Sequence, residues 1–194
     1  MLLEIPYQRE NAVAYARKWA LSRNPLFIDF TGQGGNCTNF TSQCVFAGCG
    51  VMNFTPTYGW YYLSASDRAP AWSGVDEFYR FATGQAEFAA ANGGVGPYGV
   101  IARMRNQILA GDLIQLANEE GRFYHTLIIS EIRGGEVLVC AQSDDALDRP
   151  LSTYRYADLR VIHLLGARIV TDYDLLARDV LDAVALPKPP VRGA

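Results

Sequence analysis

Over residues 11–22 the apolar side chains Ala12, Tyr15, Ala16 and Trp19 recur at helical spacing, while Arg17 and Lys18 fall on the other side and Asn24-Pro25 stops the run. A helix packing by its Trp19 face is expected there. A second helix is expected over 37–48, where Phe40, Cys44 and Val45 share a face and Gly48 and Gly50 end the run. Residues 51–100 are irregular: Gly59-Trp60-Tyr61-Tyr62 is an aromatic cluster, and 72–81 reads as a short helix. After Gly111-Asp112 the texture changes to short apolar runs at 113–116, 123–132 and 136–142, separated by a polar turn and by Gly134-Gly135, which reads as a meander of antiparallel strands. A further apolar strand, 159–165, can join the sheet. Near Asp172 another helix is expected, with Tyr173, Leu176, Val180 and Val184 as its apolar stripe, before Lys188-Pro189-Pro190 ends order. Helices followed by strands imply an α+β fold, with N-terminal helices packed on an antiparallel sheet.

Composition narrows the partners more than the fold. A chain of 194 residues is enough for one well-buried domain, read as 1–165 with a C-terminal helix and tail over 166–194. A net charge of −3 and no basic run argue against nucleic acid. The opening residues have no basic, apolar leader pattern and no run approaches bilayer length, so a soluble, cytoplasmic protein is expected, or a secreted one if a leader has been removed. Cys37, Cys44, Cys49 and Cys140 are read as reduced thiols.

The chemistry centres on Gly34-Gly35-Asn36-Cys37. Two glycines allow a sharp turn, and the helix that follows places Cys37 at a solvent-facing start, where unpaired N–H groups and the helix dipole favour a thiolate. Two readings stay open: a catalytic nucleophile, or a buried structural cysteine. A nucleophilic thiol needs a base, and only two histidines exist. His163 sits amid aliphatics, as a satisfied core residue does, whereas His125 opens a strand and can project at the sheet's edge toward a helix packed across it; His125 is the better base. Its imidazole would take the thiol proton and return it to a leaving amine, with a third polar group holding the ring. Trp60 is a candidate cleft wall. The cysteines lack zinc-site spacing, and no metal or cofactor is expected. Gly94 to Gly99 matches a dinucleotide-binding glycine pattern, but with no strand before it and Pro97 inside it, the segment reads as a loop.

The stretch Gly34-Gly35-Asn36-Cys37-Thr38-Asn39-Phe40-Thr41-Ser42-Gln43 resembles the signature of the bacterial putative amidase domain, a branch of the papain-like and NlpC-like cysteine peptidases. The resemblance extends over about residues 7–165 and takes in Met52-Asn53, Gly59-Trp60-Tyr61-Tyr62, the 72–81 segment, Gly111-Asp112-Leu113-Ile114-Gln115 and Ile162-His163. It implies a papain-like or NlpC-like core with Cys37 as nucleophile and His125 as base, acting on an amide bond in a small peptide or a peptidoglycan-derived fragment through an acyl-enzyme. Two positions depart from the family pattern. Asn36 stands where an acid is usual, and Gln142 stands where a histidine is usual, in Ala141-Gln142-Ser143-Asp144-Asp145. The resemblance makes Gln142 the orienter of His125, with Asp145 in reserve, Gln33 a candidate oxyanion donor, and Gln33, Asn36 and Trp60 the substrate-binding side of the site. Because of Gln142, a catalytically silent binding module on the same fold stands as the alternative, and a structural partner docking through its terminal helix as a third.

Overall fold

The computed structural model describes residues 2–103 and 107–170. The expected terminal helix at 172–185 and its tail lie outside the described residues. Among the described residues five α-helices, α1 (Arg9–Trp19), α2 (Cys37–Cys49), α3 (Pro70–Ser73), α4 (Val75–Ala82) and α5 (Ala86–Asn92), precede most of a seven-stranded sheet. Its strands are β1 (Leu2–Pro6), β2 (Gly96–Ile101), β3 (Leu113–Ala117), β4 (Phe123–Arg133), β5 (Glu136–Ala141), β6 (Ala146–Pro150) and β7 (Asp158–Val170), every pairing antiparallel. The fold is α+β, as the order of periodicities implies.

Strand β7 organises the sheet and runs five residues past the boundary expected at 165. Ile162 pairs with both β2 and β3, and Gly166 to Arg168 pair with both β1 and β2, so β1 and β3 follow each other along one edge of β7 while β2 takes the other. The remaining strands continue from β3 in the order β4, β5, β6. Period-two alternation divides the strands between two cores. Leu113, Ile128, Cys140, Ile162 and Leu164 face the helices, whereas Ile114, Leu127, Ile129, Val139 and Val161 build a second cluster on the opposite face. Segment 94–99, expected as a loop, instead supplies β2. Pro97 fits because β2 pairs only with β7, and a strand with one free edge can spare an N–H.

Helix α2 is the centre of the helical layer, and all thirteen of its residues are buried, where one apolar face was expected. Its polar side chains make this possible, because Thr38, Asn39, Ser42 and Gln43 each pair with a neighbouring element and Thr41 with the Thr38 carbonyl. Ser42 Oγ accepts from Trp60 Nε1 at 3.0 Å, Asn39 Oδ1 from Trp72 Nε1 at 2.8 Å, and Gln43 Oε1 from Tyr15 OH at 2.7 Å. Thr38 and Thr126 share a hydroxyl–hydroxyl bond of 2.9 Å that ties the first turn of α2 to β4. Buried groups left unpaired would each cost about 1–3 kcal/mol, so these bonds fix the rotation of α2 as well as its position. Gly50, at φ +68°, closes the helix in the left-handed conformation.

Trp60, expected as a cleft wall, is fully buried. It lies 4.8 Å from the Trp72 ring, beside Phe78 and Phe81, because its N–H is committed to Ser42 inside the core.

Candidate active site

Loop 30–36 delivers the chain into α2. Gly34 and Gly35 both hold positive φ, +99° and +103°, and a Cβ on Gly35 would already touch Ser143 Oγ. Asn36 is the hub of this entry and only 1% exposed. Its Oδ1 accepts from the Phe30 N–H at 3.0 Å and from Asn39 Nδ2 at 2.8 Å, its Nδ2 donates to Gln142 Oε1 at 2.5 Å, and its backbone N–H donates to Ser143 Oγ at 2.5 Å. Cys37 follows as the first residue of α2. It is 6% exposed, so the expected solvent-facing start is a largely covered one, its sulfur 3.8 Å from Thr38 Oγ1.

Cys37 and His125 line one open cleft of about 610 Å³, together with Gly34, Gly35, Tyr124, Ser143, Asp144, Arg149, Thr153, Tyr154 and Arg155. His125, on β4, lies between Tyr124 and Tyr154, each 6.2 Å away between ring centroids, the first nearly parallel to it at 14°. Its Nε2 is buried and, among the described residues, has no hydrogen-bond partner. Burial pushes the imidazole below its ordinary pKa; the charge of Asp144 pulls it up and that of Arg149 pushes it down. The neutral, proton-accepting form is thereby favoured near pH 7.

The two expected orienters of His125 are engaged elsewhere. Gln142 turns its amide toward α1, with Nε2 donating to the carbonyls of Trp19 and Ser22 at 2.7 Å each and Oε1 taken by Asn36. Trp19 ends α1 and Ser22 lies three residues beyond it, so the one amide ties down the exit of the helix. Asp145 is held in a two-pronged pair with Arg23, both contacts 2.9 Å. Gln33 is exposed and outside the cleft lining. Asn36 is too buried to meet substrate and acts on the loop instead. The residues missed from sequence are Ser143, Asp144, Arg149 and Tyr154. A signal for the first existed in the Ser-Asp-Asp run after β5, since Ser143 takes φ +84°, a conformation costly for a non-glycine residue that marks a tightly held turn.

Other candidate chemistry is spoken for. His163 Nδ1 lies 2.8 Å from the fully buried Asp112, which also takes Arg9 at 2.6 Å and the N–H groups of Leu109 and Leu164. Burial pushes the Cys44 thiol far up, Cys49 to about 12 and Cys140 upward as well, so all three stay protonated. A larger recess of about 670 Å³ opens by Ile114, Val137, Leu159 and Val161, but neither a cysteine nor a histidine lines it. Among the described residues no group of His, Cys, Asp and Glu could hold a metal ion, and no helix is long and apolar enough to cross a membrane.

Residues 6–165 match the family described as the putative amidase domain. The chain belongs to that family. It is also 31% identical over 143 residues to the uncharacterized protein YhbB of Bacillus subtilis strain 168, a match covering 72% of this chain and 42% of that protein. The chain thus spans less than half the length of this curated relative. No solved structure matches. Membership suggests amide hydrolysis at a coarse level. It also gives the two departures from the family pattern a joint meaning, since Asn36 and Gln142 hydrogen-bond each other. The two positions at which the sequence departs from the pattern it resembles thus meet at one contact between neutral amides.

Proposed function

We propose that this chain is a cysteine-nucleophile hydrolase of amide bonds, on a papain-like or NlpC-like core, working through an acyl-enzyme. One observation carries the reading: Cys37, at the start of α2, and His125, from β4, line the same cleft, while the other three thiols and His163 are buried or paired elsewhere. His125 takes the Cys37 proton, and the sulfur bonds to the substrate carbonyl carbon. The charge that develops on the carbonyl oxygen is met by the Cys37 backbone N–H, which as the first of the helix has no acceptor within it. Collapse breaks the C–N bond, and His125 protonates the departing amine. A water then attacks the thioester, giving a proton to His125; the C–S bond breaks, the acyl group leaves as an acid, and the Cys37 thiolate recovers its proton from His125. With Gln142 and Asp145 turned away, the machinery is a dyad, and burial between two tyrosines holds the base. The substrate is a peptide or a peptidoglycan-derived fragment.

A catalytically silent binding module remains the second reading, favoured by the unpartnered Nε2 of His125. Alkylation separates the two. Iodoacetamide should label Cys37 selectively and faster than a free thiol, the label should vanish in Cys37→Ala, and that variant should melt within a few degrees of wild type while turning over no amide. Labelling no faster than a free thiol, together with an inert amide panel, would decide for the binding module.

A further inference from the structure

The charges lining the cleft do not cancel. Two guanidinium groups, Arg149 and Arg155, face one carboxylate, Asp144, in a chain whose net charge is −3. Arg149 is already committed. Its Nη1 donates to Asp144 at 2.8 Å, its Nε to Thr153 Oγ1 at 2.8 Å, and its guanidinium lies 4.2 Å over the Tyr154 ring. Arg155 is exposed and, among the described residues, forms no ion pair. Its backbone is nevertheless anchored, because Tyr124 OH, on the strand that carries His125, donates to the Arg155 carbonyl at 3.2 Å. A cation whose backbone is held in the lining of the reactive cleft, and whose fork of N–H donors meets no carboxylate among the described residues, is arranged to receive one from a ligand.

We propose that Arg155 determines substrate charge: the site takes substrates bearing a carboxylate close to the scissile amide, which pairs with Arg155 while the carbonyl carbon meets Cys37. The inference rests on the hydrolase reading and adds the substrate class to it. Tyr124 and Tyr154 supply flat apolar walls beside this cation, so the preferred group is a carboxylate on a compact, partly apolar body.

A test independent of any natural substrate uses two reagents that differ only in charge. Iodoacetate and iodoacetamide both alkylate a thiolate, sulfur bonding to the methylene carbon as iodide leaves, but only iodoacetate carries a carboxylate next to the reacting carbon. The ratio of the two rates at Cys37, followed by intact mass at low ionic strength, should fall about three- to tenfold in Arg155→Gln and be largely kept in Arg155→Lys. Salt should move the wild-type ratio toward that of the glutamine variant. In matched peptide pairs differing by carboxylate against carboxamide beside the cleaved bond, the same variant should lose the carboxylate preference in kcat/KM. Labelling of Cys37 by both reagents at a ratio indifferent to Arg155→Gln overturns the inference and leaves the hydrolase reading standing. Failure of both reagents to label Cys37 sinks the two together.

Discussion

Replacing Asn36 by an aspartate puts in the acid that the family resemblance leads one to expect at this position, yet it should destabilise this protein. The Asn36 Nδ2 to Gln142 Oε1 bond, 2.5 Å long and buried, would become two acceptor oxygens facing each other. Gln142 cannot escape by flipping its amide, because its Nε2 already satisfies the carbonyls of Trp19 and Ser22. An unsatisfied buried acceptor costs about 1–3 kcal/mol, more when charged. The bonds that survive, from the Phe30 N–H and Asn39 Nδ2, would strengthen toward a carboxylate and offset about 1 kcal/mol. The net expectation for Asn36→Asp is a loss of about 1–3 kcal/mol. Gln142→His alone should cost about 1–2 kcal/mol, since a neutral imidazole can accept from Asn36 and donate to only one of the two carbonyls. In the double variant an imidazolium donates both to the new carboxylate at position 36 and to a carbonyl of α1, so the two losses should not add. Urea denaturation of wild type, both single variants and the double variant at pH 6 and pH 8 gives the coupling energy directly. About 2 kcal/mol of mutual rescue is expected, larger at pH 6, where the imidazole is charged. Additivity within about 0.5 kcal/mol at both pH values would refute the claim that these two positions form one interaction.

Three further outcomes follow from the charges. Burial lowers the pKa of His125 from its ordinary 6.5, so the acid limb of Cys37 alkylation or amide turnover should lie below that value; Arg149→Gln should move it up and Asp144→Asn further down, read from pH–rate profiles. The same lowering means the unfolded chain binds more protons than the folded one between the lowered value and 6.5, so the contribution of His125 to stability is present above 6.5 and is lost as pH falls through that window. Asp112→Ala should cost about 3–5 kcal/mol in urea denaturation, because it strands Arg9 and His163 beside a site that is fully buried; a loss under about 1 kcal/mol would show that the cluster is not a structural support.

What sequence could and could not foretell divides by the range of the interaction. Helix α2 and strands β3, β4 and β5 were legible because their periodicity is local: Leu113 and Ile114, or Leu127 and Ile128, announce two faces without reference to any other segment. Strands β1, β2 and β6 were not, since short or irregular segments become strands only when a neighbour offers an edge, as β7 does for Gly96 and Pro97. The site shows the same division. Cys37 and His125 could be chosen from residue type and local position, and the fold brings them to one cleft. The partners of Gln142 and Asp145 could not, because they are set by the exit of α1, more than a hundred residues away in sequence, where the Trp19 and Ser22 carbonyls and Arg23 take them. Trp60 failed as a cleft wall for a related reason: an aromatic cluster does not say which ring finds a buried acceptor, and Ser42 provides one.

The proposed nucleophile and the proposed base are therefore held by different kinds of force. Cys37 is placed by a chain of polar contacts: the end of α1 binds Gln142, Gln142 binds Asn36, and Asn36 and Ser143 lock the loop that enters α2. Such bonds are short-ranged and directional, so losing one shifts the backbone that carries the sulfur. His125 has no such chain at its Nε2, and its ring is confined by Tyr124, Tyr154 and burial. Packing restricts a ring without choosing its tautomer, and a third polar group would supply that choice. In the proposed dyad the charge balance of Asp144 against Arg149 would take over part of the orienter's task, since the field of Asp144 favours the imidazolium that would form if the thiol gave up its proton. A base tuned in this way would respond to the charge of whatever enters the cleft, since Asp144 and Arg149, which act on it, line that cleft together with Arg155.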